Sequence, residues 1–293
     1  MTKNNIDQRL FDLYDEYAHG RIDRREFMRR AGMVAGAASA AAVAQALMPR
    51  YAEAETVSFN DPRIRASWVE YPTPSATRKV RAYLVRPIAA GAHKRPGVLV
   101  IHENRGLNPY IQDVARRAAV DGFVALAPDG LSAKGGYPGN DDEGRELQAQ
   151  IPPEQLIEDM LAGAGYLKSH PDCSGSIGAV GFCWGGGMVG TLAVEMQEEL
   201  GAGVPFYGRQ PAAEDVARIR APLLIHYAEL DTRINEGWPA FEAALEANGV
   251  DYTMHMYEGA NHGFHNNSTP RYDEQAAELA WSRTTAFFRE HLL

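Results

Sequence analysis

Cysteine is scarce in this 293-residue chain, with Cys173 and Cys183 the only two. Neither belongs to a CxxC pair, which argues against a zinc ribbon or a thioredoxin-like centre. Two thiols are also too few for a disulfide scaffold. A basic surplus is missing as well. The 29 Lys and Arg are outnumbered by 38 Asp and Glu, for a formal charge of -9, so the electrostatic footprint of a nucleic-acid binder is absent. No repeat and no low-complexity tract stands out beyond one alanine-rich segment. What is present is an ordinary globular composition, 45% hydrophobic and 23% charged, with enough mass for a full core.

Residues 1–54 read differently from the rest. Asp23-Arg24-Arg25-Glu26-Phe27-Met28-Arg29-Arg30 precedes a weakly apolar run at 31–48, and Ala52-Glu53-Ala54 follows it. Paired arginines, a modest apolar stretch and an A-x-A end are similar to a twin-arginine export signal. The run has few bulky aliphatics, which argues against a permanent membrane span. The expectation is therefore an arm over 1–54 carrying an export signal, a periplasmic destination and a catalytic domain over 55–293. A retained helical arm in a cytoplasmic protein is the alternative. Asp23 with Glu26 three residues later starts an ordinary helix in the manner of a capping box. Leu10, Phe11, Tyr14 and Tyr17 lie at helical spacing.

Beyond residue 59 strand and helix patterns alternate. Residues 80–85 alternate in and out, as an early antiparallel strand does. Residues 97–102 and 123–127 are continuous apolar runs, the mark of strands buried on both faces. Helices are predicted over 109–121, 153–169, 185–199 and 271–292, and further strands over 176–182, 204–207, 223–227 and 252–257. Residues 131–150 read as a surface excursion rich in Gly, Asp and Lys. The alternation implies βαβ units in a mainly parallel, twisted sheet flanked by helices.

Gly181-Phe182-Cys183-Trp184-Gly185 places a thiol in the centre of a G-x-nucleophile-x-G pattern, after a buried strand and before a helix. Such a turn is too tight for side chains two residues either side, and glycine removes them. The helix N-terminus favours negative charge there, which helps a thiolate form. A buried structural cysteine among packing glycines is the alternative. Asp231 follows the strand at 223–227, and His262 follows the strand at 252–257. The order Cys183, Asp231, His262 is that of nucleophile, acid and base in an α/β-hydrolase, with each residue at a strand end. His262 would take the thiol proton, and Asp231 would orient the imidazole. Glu229 rivals Asp231, and His255 and His265 rival His262. The backbone N–H groups of Trp184 and Asn104 stand where an oxyanion hole is expected. One such donor is worth about 3 kcal/mol in the transition state. A metal on His262 and His265 lacks a third ligand at a telling spacing.

The run Val100-Ile101-His102-Glu103-Asn104-Arg105-Gly106-Leu107-Asn108-Pro109-Tyr110-Ile111 belongs with these elements, as do Ala127-Pro128-Asp129 and Gly-Ala-Asn-His-Gly-Phe at 259–264. Together they resemble the dienelactone hydrolase family over roughly residues 60–293. The resemblance implies an α/β-hydrolase fold with a Cys-His-Asp triad. It also implies hydrolysis of a small-molecule ester or lactone through an acyl-thioester, with no metal or organic cofactor. It further implies that Glu103 contacts the resting thiol and helps convert it to thiolate. Family members that act on dienelactone hold the substrate carboxylate with arginines. Here no arginine follows in 263–267, and Lys134 stands near the other family position, without the bidentate fork of arginine. Arg105 and Lys134 are the candidates for an anionic substrate group. A thioesterase, a peptidase and a non-catalytic binding module are the alternative functions, and self-association is left open.

Overall fold

The computed structural model describes residues 6–35, 40–74, 78–88 and 93–293. Its centre is an eight-stranded sheet in the order β1-β2-β4-β3-β5-β6-β7-β8. The strands are β1 (Ile64–Pro72), β2 (Lys79–Pro87), β3 (Arg95–Ile101), β4 (Val124–Pro128), β5 (Cys173–Phe182), β6 (Ala202–Phe206), β7 (Leu223–Ala228) and β8 (Tyr252–Tyr257). The first two are antiparallel to their neighbours, and β4 through β8 run parallel. Strands β3 to β7 are apolar and buried almost throughout, because helices cover both of their faces. β8 lies at the sheet edge, with only Tyr257 buried.

Three helices form the N-terminal arm: α1 (Gln8–Ala18), α2 (Arg24–Ala35) and α3 (Ala40–Leu47). One sheet face is covered by α4 (Pro109–Val120) and α10 (Glu274–Leu292). The other is covered by α6 (Pro153–Ser169) and α7 (Trp184–Met196). The shorter α5 (Asp141–Gln148), α8 (Thr232–Asn235) and α9 (Trp238–Ala247) complete the set. Two apolar cores result, one on each face of the sheet.

Two elements depart from the sequence reading. β1 was not foreseen, because its residues are mostly half-exposed or exposed and carry Arg65, Ser67 and Glu70. The excursion at 131–150 contains α5. Its start is fixed by Asn140, whose side chain accepts from the amides of Asp142 and Glu143, and Asp141, Asp142 and Glu143 in the first turn suit the helix dipole.

The arm has an apolar core of its own. Leu10, Phe11, Tyr14, Tyr17, Phe27, Ala31 and Leu47 bury one another, and the rings of Tyr17 and Phe27 stack at 5.0 Å. Asp23 caps α2 by accepting from the Glu26 amide at 2.7 Å. Among the described residues no helix is long and apolar enough to cross a membrane.

Candidate active site

Each site residue expected from the sequence stands beyond the C-terminal end of a strand. β3 leads to Glu103 and Asn104, β5 to Cys183, β7 to Asp231 and β8 to His262. Cys183 sits at the turn from β5 to α7 with φ 56° and ψ −112°, a conformation that costs a non-glycine residue about 1–3 kcal/mol. The flanking glycines make the turn feasible. A Cβ on Gly181 would stand 2.1 Å from the Gly185 carbonyl oxygen, and one on Gly185 would stand 2.4 Å from that of Ile101. The Cys183 N–H is tied to the Phe206 carbonyl across the sheet at 3.0 Å.

His262 Nδ1 donates to Asp231 Oδ2 at 2.5 Å, and both residues are buried. The other carboxylate oxygen accepts from the Ile234 amide, capping α8. Asp231 thus bonds His262 and caps α8 at once. The rivals are used elsewhere. Glu229 is exposed and accepts from the Gly259 amide at 2.7 Å. His265 is buried against Tyr110, 2.7 Å from its hydroxyl, and burial, aided by Arg117, holds its pKa well below the ordinary value. His255 stands beside His226 on the outer strand.

The sequence reading did not foresee the third partner of the thiol. His19, just after α1, places Nε2 3.3 Å from Cys183 Sγ, and its ring meets that of His262 edge-on at 4.9 Å. His19 Nδ1 lies 2.8 Å from the Asp15 carbonyl and 3.3 Å from Asp15 Oδ1. The sulfur and one nitrogen of each imidazole all lie within 4.8 Å of one another. Burial disfavours a Cys183 thiolate, but the charges of His19 and His262 outweigh it and hold the thiol well below its ordinary pKa. Burial likewise opposes protonation of His262, yet Asp231, Asp15 and Cys183 raise its pKa to about 10.

Glu103 is buried, and its carboxylate accepts from Asn266 Nδ2 at 3.2 Å. Burial raises its pKa against the pull of Arg105, and the charge of Cys183 raises it further. The hydrogen bond of the thiol goes to His19 rather than to Glu103. Trp184 and Asn104 both line the cavity above the sulfur. The Asn104 side chain is engaged with the arm, donating to the Ala18 carbonyl at 2.9 Å.

That cavity measures about 680 Å³. Arg105 and Lys134 do not line it. Arg105 is buried and paired with Asp141 at 2.9 Å, below the arm. Lys134 is exposed and reaches Gln150 at 3.4 Å. Among the described residues, the cations that do line the cavity are Arg21, Arg145, Arg209 and Arg233, and no carboxylate lines it. They come from the arm, α5, the loop after β6 and α8, so no local motif announces them.

The model of the dienelactone hydrolase family matches residues 80–292. The chain belongs to the dienelactone hydrolase family. A second model, described as YqhI-like, matches residues 1–36, which contain α1 and α2. A "Putative carboxymethylenebutenolidase" of Saccharolobus solfataricus is 32% identical, across 72% of this chain and 94% of that protein. A Bradyrhizobium protein described as "Probable 2-oxo-3-(5-oxofuran-2-ylidene)propanoate lactonase" is 30% identical, across 78% and 96%. The crystal structure of a "Putative Dienelactone Hydrolase" from Klebsiella pneumoniae superposes with a TM-score of 0.69 at 25% identity, covering 78% of this chain and 99% of that one. This family member is a hydrolase of small-molecule esters or lactones, and its sheet with helices on both faces is the α/β-hydrolase fold.

Proposed function

We propose that the enzyme cleaves a small carboxylic ester or lactone with Cys183 as nucleophile, through an acyl-thioester. The observation that carries this reading is the thiol at a strained strand-to-helix turn, within 4.8 Å of a histidine whose far nitrogen is fixed by Asp231. The thiolate adds to the substrate carbonyl, and the amides of Trp184 and Asn104 receive the developing oxyanion. The imidazolium of His262 gives its proton to the leaving alkoxide, which in a lactone stays attached to the acyl group. Neutral His262 then takes a proton from water as the water attacks the thioester, and the thiolate leaves. Asp231 keeps the imidazole in the required tautomer throughout. Of the four arginines that line the cavity, Arg145 and Arg233 are paired with Asp142 and Asp15, and Arg21 and Arg209 suit a substrate that carries a negative charge.

The same reading keeps the arm in the working enzyme, as the retained-helix alternative to an export signal has it. Its support is the docking of α1 on the catalytic domain through Asn104, Arg145 and Asn261. Intact mass of the protein recovered from cytoplasmic and periplasmic fractions tests this. A periplasmic species lacking residues 1–54 would overturn it. For the chemistry, rates on p-nitrophenyl acetate and on a panel of lactones are expected to collapse in Cys183→Ala and His262→Ala. Mass spectrometry of quenched wild-type enzyme is expected to find the acyl group on Cys183. Equal rates in all three proteins would reject the catalytic assignment.

A further inference from the structure

Two Asp–His pairs converge on one thiol, and only one of them belongs to the triad order. We propose that His19, carried by the N-terminal arm and oriented by Asp15, is a second catalytic histidine that takes the Cys183 proton and stands as the counter-ion of the thiolate. This inference rests on Cys183 being the nucleophile and goes beyond it, because it gives the arm a chemical task.

The geometry repeats the logic of Asp231 and His262. His19 Nδ1 faces Asp15, so Nε2 is turned to the sulfur at 3.3 Å. The step moves one proton: it leaves Cys183 Sγ and arrives on His19 Nε2, giving thiolate and imidazolium, with no other bond changed. His262 is left free to serve the leaving group and the water. The resemblance to the family assigned thiol activation to Glu103. Here Glu103 is bound by Asn266, and an imidazole occupies the position beside the sulfur.

Asp15 is itself held from outside the arm. Arg233 Nε lies 3.4 Å from its Oδ2, and Arg271 Nη1 lies 3.4 Å from its Oδ1. Arg233 Nη2 also stands 3.2 Å from His19 Nε2 and 3.4 Å from His262 Nδ1. The groups around the pair are thus Asp15, Asp231 and Glu103 on the negative side, and Arg233, Arg271 and His262 on the positive side. While His19 is neutral, its one Nε2 lone pair faces the thiol, and the Arg233 guanidinium beside it is paired with Asp15. Once the proton arrives, the guanidinium still has Asp15 as its partner. Burial disfavours a charged His19, and the charges of Cys183 and Asp15 outweigh it, so its pKa is raised.

The docking of the arm is specific around this histidine. Asn104 donates to the Ala18 carbonyl at 2.9 Å, Arg145 to the Tyr17 carbonyl at 3.0 Å, and Gln8 Nε2 to Asn261 Oδ1 at 2.5 Å, one residue before His262. The Tyr17 hydroxyl donates to Asp142, and Arg271 lies over the Tyr14 ring.

The test is the pH dependence of Cys183 alkylation by iodoacetamide in wild type, His19→Gln and Asp15→Asn, read by peptide mass spectrometry so that Cys173 is counted separately. In His19→Gln the midpoint is expected to rise by at least about one pH unit, which makes alkylation in mild acid about tenfold slower. Asp15→Asn is expected to shift it in the same direction by less. A His19→Gln profile that coincides with wild type overturns the proposal. So does one raised at every pH with an unmoved midpoint, since that marks His19 as a plug. If His19→Gln does not fold, NMR titration of the His19 imidazole in wild type and Cys183→Ala decides. A higher midpoint with the thiol present supports the ion pair, and equal midpoints overturn it. An acyl adduct on wild-type Cys183 together with an unshifted His19→Gln profile would remove only the role of His19. The lack of any adduct on Cys183 would remove the nucleophile reading itself.

Discussion

Two carboxylates and the Cys183 sulfur surround His262. The His262 pKa is raised from 6.5 to about 10 although burial opposes this, because Asp231, Asp15 and Cys183 carry negative charge beside it. A group raised in the folded state stabilises that state fully below its unfolded value and loses the contribution as the pH climbs through the folded one. The depressed Cys183 thiol contributes in the opposite sense as the pH rises toward its unfolded value, so the His262 contribution is read as a difference: the excess of the wild-type urea midpoint over that of Asp231→Asn is expected to shrink as the pH climbs from 6.5 to 10. Parallel curves for the two proteins would contradict the pairing.

At the scale of elements, the turn from β5 to α7 tolerates no side chain where its glycines stand. Gly181→Ala would drive a Cβ against the Gly185 carbonyl, backbone against backbone, so relief requires the turn itself to open. The expected loss is more than about 4 kcal/mol, seen as a drop in Tm with loss of activity; a variant as stable as wild type would refute the close-packed turn. This element was fully legible in the sequence because its reasons are local: a buried run, a thiol and glycines at fixed spacing. The order Asp231 then His262 was legible for the same reason, each acid or base directly following a strand. α5 was hidden by the Gly and Asp content of its neighbourhood, although Asn140 and the acids behind it are an ordinary helix start. β1 was hidden because an outer strand with one wet face carries too weak a pattern.

Across the whole molecule, what the sequence withheld is what long-range contacts decide. His19 and Cys183 are 164 positions apart, and no motif links them. Leu10, Phe11, Tyr14 and Tyr17 revealed a helix with an apolar face, but not the surface it meets. The cations of the cavity were misplaced for a related reason. Arg105 and Lys134 sit where the family pattern points, whereas Arg209 and Arg233 arrive from loops and helices further along the chain. Arg209→Gln is expected to raise KM about fivefold for esters bearing a carboxylate while leaving neutral esters unchanged, an effect of about 1 kcal/mol. An equal rise for both ester classes would exclude charge recognition by Arg209. Tyr17 stacks on Phe27, lies beneath Arg145 and reaches Asp142. In Tyr17→Ala limited proteolysis is expected to cut between α1 and α2 much faster than in wild type, with the sheet domain left intact. Cleavage at the wild-type rate would refute this anchoring of the arm.

The seat of α1 is assembled from Asn104, Arg145, Cys183, Arg233, Asn261 and Arg271. On the ribosome the arm emerges before its seat and has nothing to sit on until residues as far along as Arg271 have followed. Its apolar faces must be sheltered for most of the time of synthesis, by its own small core or by a chaperone. A nascent chain stalled before residue 231 would carry both the thiol and His19, yet lack Arg233, His262 and Arg271, so its sulfur would react as an ordinary cysteine. Nucleophilic power would thus be conferred late, when the arm meets Arg233, His262 and Arg271.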